Sequence, residues 1–500
     1  MNLETLFCGI PWELTAGTPD KDVKSIVYHS DKAASGSVFF AIKGADGDGR
    51  QYISAAVEKG ATVIVTDDFE LDEFRNCRGN AALVRTEDVR QALAVASANF
   101  FLRPSEGLFT VAVTGTKGKT TTSFMIKEIF EKAGIKTGII GTVLNGCQGF
   151  FSEASQTTPQ SCDIHHMLRQ MVDRGCKAVV MEVSSQGLMQ QRVHGIDFDV
   201  AVFTNISPDH ISKTEHKSFE EYLYWKTMLF KQAKVAIINR DDKHSKDFLK
   251  AAEGRAEKIL TFGAKPQNTE HEDYLIHDIC LKYEESLPSA QFFLKEHKIL
   301  TYMPGKFSVY NSAAAAVTGL AAGINTKYIY QALKEVKVRG RMEIVPTSAD
   351  FTVMIDYAHN GTALENILKE LREYRPRRLI LVFGCGGGRD KSRRKQMGRA
   401  AARFADFSII TSDNPREENP LDIIEDITKE MAPAAGTFSV IQDRGTAILA
   451  ALDMALPGDM VIIAGKGHET YQITGKEKRH FDDREVVSRW DASFRGRNNA

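Results

Sequence analysis

The sequence predicts an α/β protein of about three domains. Its 500 residues exceed what a single core holds. Short runs rich in β-branched residues alternate with helical patterns along most of the chain. In the middle of the chain these runs are almost continuously apolar, as strands buried on both faces of a parallel sheet are.

Composition narrows the class. The chain is 43% hydrophobic and 26% charged, with a formal net charge of −1. Nothing in that balance calls for nucleic acid or an anionic membrane as partner. Its seven cysteines are scattered without a C-x-x-C, which argues against a disulfide framework and a zinc site. No apolar run is long enough to span a bilayer, and the N-terminus lacks a basic segment followed by an apolar one. A cytoplasmic location is expected.

Residues 1–106 form the first expected domain, small and α/β. Strands are expected at 24–28, 37–42 and 61–65, with a short helix at 54–59 that stops at Gly60. This unit carries no catalytic constellation of its own. The Pro-Ser-Glu-Gly stretch at 104–107 closes it.

Residues 107–338 form the second expected domain. An apolar strand at 108–113 runs into Gly115, Thr116, Lys117 and Gly118, then Lys119, Thr120 and Thr121, and an apolar-periodic helix follows. Glycines there let backbone N–H groups close on phosphate oxygens, and the helix N-terminus adds positive potential. Lys119 can reach outer phosphates and the Thr120 hydroxyl can bind Mg²⁺. The loop is shorter than a full Walker A, since Val113 stands where that pattern has its first glycine. Further strands are expected at 136–143, 176–183, 198–203 and 234–239. Their carboxyl ends carry Thr142, Glu182, Thr204-Asn205 and then Asp209-His210, and ligands of open α/β sheets sit at such ends. Glu182, Asp209 and His210 are candidate Mg²⁺ ligands or supports of ligands. Short alternating segments between 265 and 303 read as an antiparallel insertion, followed by an Ala-rich helix at 312–322.

Residues 339–500 form the third expected domain, Rossmann-like in pattern, with strands at 353–356, 378–383, 406–411, 437–441 and 460–464. Three of its loops are polar at strand ends: Gly384-Cys-Gly-Gly-Gly-Arg-Asp-Lys-Ser-Arg-Arg-Lys395, Ser412-Asp-Asn-Pro-Arg416 and Gly465-Lys-Gly-His-Glu469. The first lacks a true G-x-G-x-x-G with an acidic partner, so dinucleotide binding is weakly signalled. A cationic clamp for a multiply anionic substrate suits its position better than a solvated helix face does.

Taken together, these motifs resemble those of the Mur ligases, ATP-dependent amino-acid-adding enzymes of peptidoglycan precursor synthesis. The matching stretches are T-G-T-K-G-K-T-T at 114–121, T-T-P at 157–159, M-E-V-S-S at 181–185, D-H at 209–210, E-Y-x-x-x-K at 221–226, D-Y-A-H at 356–359, V-F-G-C-G-G at 382–387, S-D-N-P-R at 412–416 and A-G-K-G-H-E-T-Y-Q at 464–472. They span essentially the whole chain, and they look like the branch that adds the third residue of the peptide. The resemblance implies a first domain for the uridine diphosphate end of the substrate, a second for ATP, and a third that carries the incoming amino acid.

Carried over by motif, Gly115 to Thr121 with Asn311, Arg341 and Asp356 would bind ATP. Thr120, Glu182, His210 and Lys226 would hold Mg²⁺, Lys226 as a carbamate formed with CO₂. Lys119, Glu182, His210 and Lys226 would be the catalytic set. Ser30, Thr157, Thr158, Ser184 and Arg192 would contact the UDP-sugar, and Arg389, Asp413, Asn414, Arg416, Gly465 and Glu469 the amino acid. The implied reaction adds meso-diaminopimelate to the D-glutamate γ-carboxylate of UDP-MurNAc-L-Ala-D-Glu through an acyl phosphate, and the implied partners are these small molecules alone, on a monomer. Arg416 can pair bidentately with a distal carboxylate that lysine lacks. Departures from the family pattern are Lys117 for Asn, Ser308 for Asn, Arg339 for Pro and Asn360-Gly361 for Thr-Pro. The stretch 206–216 looks like a branch that includes lysine-adding members. Addition of L-lysine or another diamino acid, a folylpolyglutamate synthetase-like ligase and a non-catalytic nucleotide-binding paralogue are the alternatives.

Overall fold

The computed structural model describes residues 1–44, 47–67, 81–154, 156–208, 211–212, 215–266, 271–284, 287–431 and 437–498. They fall into two compact units, one of 1–275 with 313–329, the other of 276–312 with 330 onward.

The first unit holds two sheets. The N-terminal one runs Glu13–Ala16, Ala82–Arg85, Ala61–Thr66, Ser37–Phe40, Ser25–Val27, parallel except at the first pairing. Three of these strands match the sequence expectation. The other two are four residues each and carry too little period to stand out. The larger sheet runs Lys258–Gly263, Ala233–Asn239, Phe198–Phe203, Phe109–Thr114, Ala178–Glu182, Thr137–Ile140, all parallel. The expected strand at 136–143 stops at Ile140. Gly141 then passes so close to the Glu182 carboxylate that a Cβ there would collide with it. The chain turns back as the antiparallel strands Leu144–Cys147 and Phe150–Glu153.

Strand Phe109–Thr114 sits at the switch point of this sheet, between Ala178–Glu182 on one side and Phe198–Phe203 on the other. The register pairs Glu182 with Val113 and Phe203 with Thr114, so three strand ends finish level with one another beside the loop at 115–118. Every residue of Ala178–Glu182 is buried, which explains its unbroken apolar run ahead of the acid. Helix Ser161–Asp173 covers the sheet with Ile164, Leu168 and Met171 and also packs on helix Val89–Phe100.

His165, on that same helix, is 1% exposed, and neither ring nitrogen has a hydrogen-bond partner. Burial, with Arg103 adding repulsion, pushes its pKa down to about 4. Its folded value lies below the unfolded one, so the unfolded chain binds the proton more readily. Stability is therefore full above about pH 6.5 and is lost as pH falls towards 4. Between pH 7 and pH 5 the loss from this one group is about 2 kcal/mol. His165→Phe should narrow the gap between thermal midpoints measured at those two pH values; an unchanged gap would place the acid sensitivity elsewhere.

In the second unit, residues 276–284 pair antiparallel with Leu287–Leu294, and those with His297–Thr301. This is the expected antiparallel insertion. Helix Lys306–Ala321 begins six residues earlier than expected, directly after Pro304 and Gly305, the latter at φ +89°. The third sheet runs Glu343–Val345, Thr352–Asp356, Met460–Ala464, Leu379–Phe383, Phe407–Ile410, Phe438–Val440, parallel after the first pairing. Its two faces bury separate cores, one around Leu364, Leu368, Met397 and Ile427, the other around Ile448, Leu452, Val487 and Trp490. The hairpin Tyr471–Thr474 with Glu477–His480 was not expected, although a two-residue Gly475-Lys476 turn between alternating segments signals one. No helix among the described residues is long and apolar enough to cross a membrane.

Candidate active site

The phosphate loop is built by exclusion. Gly115 stands at φ +150°, and a Cβ there would collide with the Thr204 hydroxyl. Gly118, at φ +86°, is the N-cap of helix Lys119–Lys132 and supplies no side-chain cap. No cap side chain therefore competes for the first N–H groups of that helix, as an anion site there requires. Asn205 clamps the loop from the next strand. Its carbonyl accepts from Thr116 N (2.8 Å), its Oδ1 from Lys117 N (3.0 Å), and its Nδ2 donates to the Lys117 carbonyl (3.0 Å). In the sequence Asn205 is only part of a polar strand end; in the structure it shapes the loop. Side-chain amides that satisfy both backbone groups of one residue leave no mark in a sequence.

Two ammonium groups converge on one loop carbonyl. Lys119 Nζ donates to Gly115 O at 2.8 Å and Lys226 Nζ donates to it at 2.9 Å. Lys226 is 1% exposed and lies over the Tyr222 ring, whose hydroxyl is 2.9 Å from Thr116 Oγ1. Lys226 therefore points into the core and not to solvent. Glu182 is equally buried. Its carboxylate accepts from Thr120 Oγ1 (2.9 Å), Thr142 N (2.8 Å) and Thr142 Oγ1 (3.0 Å). A carboxylate and a hydroxyl in contact form a hard-oxygen pair suited to Mg²⁺. His210 and Asp209 lie outside the described residues. Among the described residues, no group of three or more His, Cys, Asp or Glu side chains could hold a metal.

The sugar-side candidates adjoin this centre. Thr157 Oγ1 is 3.0 Å from Thr142 Oγ1. Thr158 Oγ1 donates to Glu182 O (2.9 Å) and accepts from Ser184 N (3.0 Å). Arg192 donates to Thr158 O (2.6 Å), Gln156 Oε1 (2.8 Å) and Gln190 Oε1 (2.6 Å). Its buried Nε has no partner. Burial and the neighbouring Arg90 push its pKa down to about 10, the signature of a guanidinium held without a carboxylate. Ser30 opens the turn Ser30–Lys32, just after Tyr28, whose hydroxyl donates to Asp163 at 2.5 Å.

In the second unit, Asp356 ends its strand by accepting from Met342 N and Ala358 N, both 2.7 Å, and Arg341 lies over the Tyr357 ring. Asn311 is buried on helix Lys306–Ala321. Beside Tyr357 opens a cavity of about 240 Å³, lined by Arg389, Asp413, Asn414, Arg416, Gly465 and Glu469 among others. All six amino-acid candidates thus line one space. Gly465, at φ +112°, lets the chain pass Asp413, whose Oδ2 would be 2.6 Å from a Cβ. Arg416 takes the left-handed conformation, φ 52°, and its Nη1 donates to Gly387 O at 2.5 Å. Its main chain is tied to the hairpin: Arg416 N donates to Ile473 O (3.1 Å) and Gly475 N donates to Arg416 O (2.6 Å).

A glycine loop capping a helix at a switch point, and in the second unit a pocket lined by both acid and guanidinium groups, fit a nucleotide-using α/β ligase. Three family models match in order along the chain: "Mur ligase family, catalytic domain" at 22–101, "Mur ligase middle domain" at 113–319 and "Mur ligase, glutamate ligase domain" at 340–467. The chain belongs to the Mur ligase family. It is 41% identical over 492 residues to the UDP-N-acetylmuramoyl-L-alanyl-D-glutamate–2,6-diaminopimelate ligase of Caldanaerobacter subterraneus subsp. tengcongensis, covering 97% of this chain and 98% of that one. The enzyme of the same name from Clostridium perfringens is 39% identical, with 97% and 99% covered. A solved structure of a ligase of that name superposes with a TM-score of 0.71 at 29% identity, covering 99% of each chain.

Proposed function

We propose that this ligase uses ATP to join meso-diaminopimelate to the D-glutamate γ-carboxylate of UDP-MurNAc-L-Ala-D-Glu. The observation that carries the reading is the convergence of Lys119, Lys226, Thr120 and Glu182 on one phosphate loop, in a chain similar over its full length to ligases of that name.

The substrate carboxylate attacks the γ-phosphorus of ATP, the bond to the β-phosphate oxygen breaks, and ADP leaves. The amine then attacks the acyl carbon. The tetrahedral species expels inorganic phosphate, and the amine loses its proton. Lys119 exchanges its loop carbonyls for outer phosphate oxygens, and the loop N–H groups face the remaining charge. Thr120 and Glu182, with His210 and a carbamate on Lys226, are the residues that would hold Mg²⁺, which supplies charge neutralisation at the phosphates when bound. Two ammonium groups on one carbonyl repel each other, and a carbamate at Lys226 would replace one of those positive charges with a negative one. Thr157, Thr158, Ser184, Arg192 and Ser30 orient the UDP-sugar, and Asn311, Arg341 and Asp356 the nucleotide. Arg389, Asp413, Asn414, Arg416, Gly465 and Glu469 receive the diamino acid. The substrates are small molecules met in the cytoplasm.

Phosphate release with ATP, Mg²⁺ and UDP-MurNAc-L-Ala-D-Glu tests this, with meso-diaminopimelate, L-lysine or neither added. Turnover is expected with diaminopimelate alone. Arg416→Ala should lower kcat/KM for diaminopimelate by about 10- to 100-fold, the worth of a charge-assisted hydrogen-bond pair. Turnover with lysine instead, or an unimpaired variant, would overturn the specificity. No turnover with either would overturn the reaction.

A further inference from the structure

We infer that Lys466 is a positioning residue that decides which atoms of Asn414 and Glu469 face the added amino acid. The inference deepens the proposed function and rests on it. Lys466 is fully buried, between two glycines at the end of strand Met460–Ala464. Its Nζ donates to Asn414 Oδ1 and to Glu469 Oε2, both at 3.1 Å, and lies 5.4 Å from the Tyr471 ring centroid.

This contact removes the ambiguity of an amide. The backbone N–H of Ile473 also points at Asn414, at 3.0 Å, and a backbone N–H only donates. The atom facing Lys466 and Ile473 is therefore the amide oxygen, twice occupied. The amide nitrogen is turned the other way. One of its hydrogens goes to Glu469 Oε2 at 2.8 Å; the other has no acceptor among the described residues. Glu469 is sorted in the same way. Oε2 takes both Lys466 and Asn414, and Oε1 has no donor among the described residues. Both residues line the cavity.

The pocket is thus left with one N–H from Asn414 and one carboxylate oxygen from Glu469. The first suits a ligand carboxylate and the second a ligand ammonium, the two groups of a zwitterionic amino-acid terminus. Without the buried cation, Glu469 would approach Asn414 as an uncompensated charge, and nothing on the Lys466 side would favour the amide orientation. A ligand ending in a lone ammonium needs only Glu469, so Lys466 bears more heavily on the zwitterion.

The test is steady-state kinetics on the full-length enzyme with Lys466→Met, Lys466→Gln, Glu469→Gln and the double variant Lys466→Met/Glu469→Gln. Lys466→Met is expected to raise KM for meso-diaminopimelate by about tenfold or more, with KM for ATP and for the UDP-dipeptide within about twofold of wild type. Lys466→Gln keeps a donor for Asn414 Oδ1 and should recover part of the loss; it carries the test if the methionine variant does not fold. In the Glu469→Gln background, adding Lys466→Met should cost less than about threefold, because the charge it compensates is gone. A purely structural lysine would instead depress kcat, move all three KM values together, and add to Glu469→Gln in full; any of those results overturns the inference while wild-type turnover leaves the proposed reaction standing. A wild type that turns over no diamino acid overturns both.

Discussion

Glu182→Gln is expected to lower ATP-dependent turnover by on the order of 10³-fold while the protein stays folded. The side chain is 1% exposed, and three protein donors point at it. Glutamine has the same shape. Its oxygen can still accept from Thr142 N, and the Thr120 and Thr142 hydroxyls can rotate to accept from its amide. What disappears is one unit of negative charge at the end of a strand, level with the phosphate loop. That charge is what a divalent cation needs from the protein, and it is felt strongly where water is excluded. The measurement is phosphate release at saturating substrates, alongside the thermal midpoint. A variant within tenfold of wild type would show that Glu182 serves only to hold Thr142 and the loop.

Lys226→Met separates activity from stability. Turnover should drop by about 10²- to 10³-fold, whereas the thermal midpoint should stay level or rise. A fully buried ammonium lies close to a second one on Gly115 O, and an apolar side chain of similar length removes the desolvation cost. If the lysine acts as a carbamate, wild-type turnover should also fall in CO₂-depleted buffer and return with bicarbonate. Activity that survives Lys226→Met, or that ignores bicarbonate, would leave the residue a structural cation.

Much of this was readable in the sequence because it rests on period and spacing. Strand Phe198–Phe203 was expected at its observed bounds, and the acid of Ala178–Glu182 follows an unbroken apolar run. The loop glycines were expected to let the backbone close on phosphate, and Gly118 takes the left-handed conformation that glycine permits. Contacts made across the fold could not be read in this way. Lys226 sits on a helix whose charges look solvated, yet it points into the core. Neither Asn205 nor Lys466 shows any periodicity of its own, because the loop that Asn205 shapes and the amide that Lys466 orients lie 88 and 52 residues away. His165 lies on the buried face of its helix, where nothing in the residue pattern marks it.

The loop that carries Arg416 is tied to the hairpin by main chain, while its guanidinium lines the pocket and donates to Gly387 O. The hydrogen bonds from Arg416 N to Ile473 O and from Gly475 N to Arg416 O survive any replacement that keeps the backbone path. For an inhibitor, the two kinds of contact have different futures. A compound that grips the guanidinium can be escaped by one codon change, but only with the loss of diaminopimelate use expected of Arg416→Ala. A compound that competes for the main-chain ladder between 416 and 473–475 meets atoms that side-chain replacement, short of proline, leaves in place. Resistance to it would require the loop to be rebuilt.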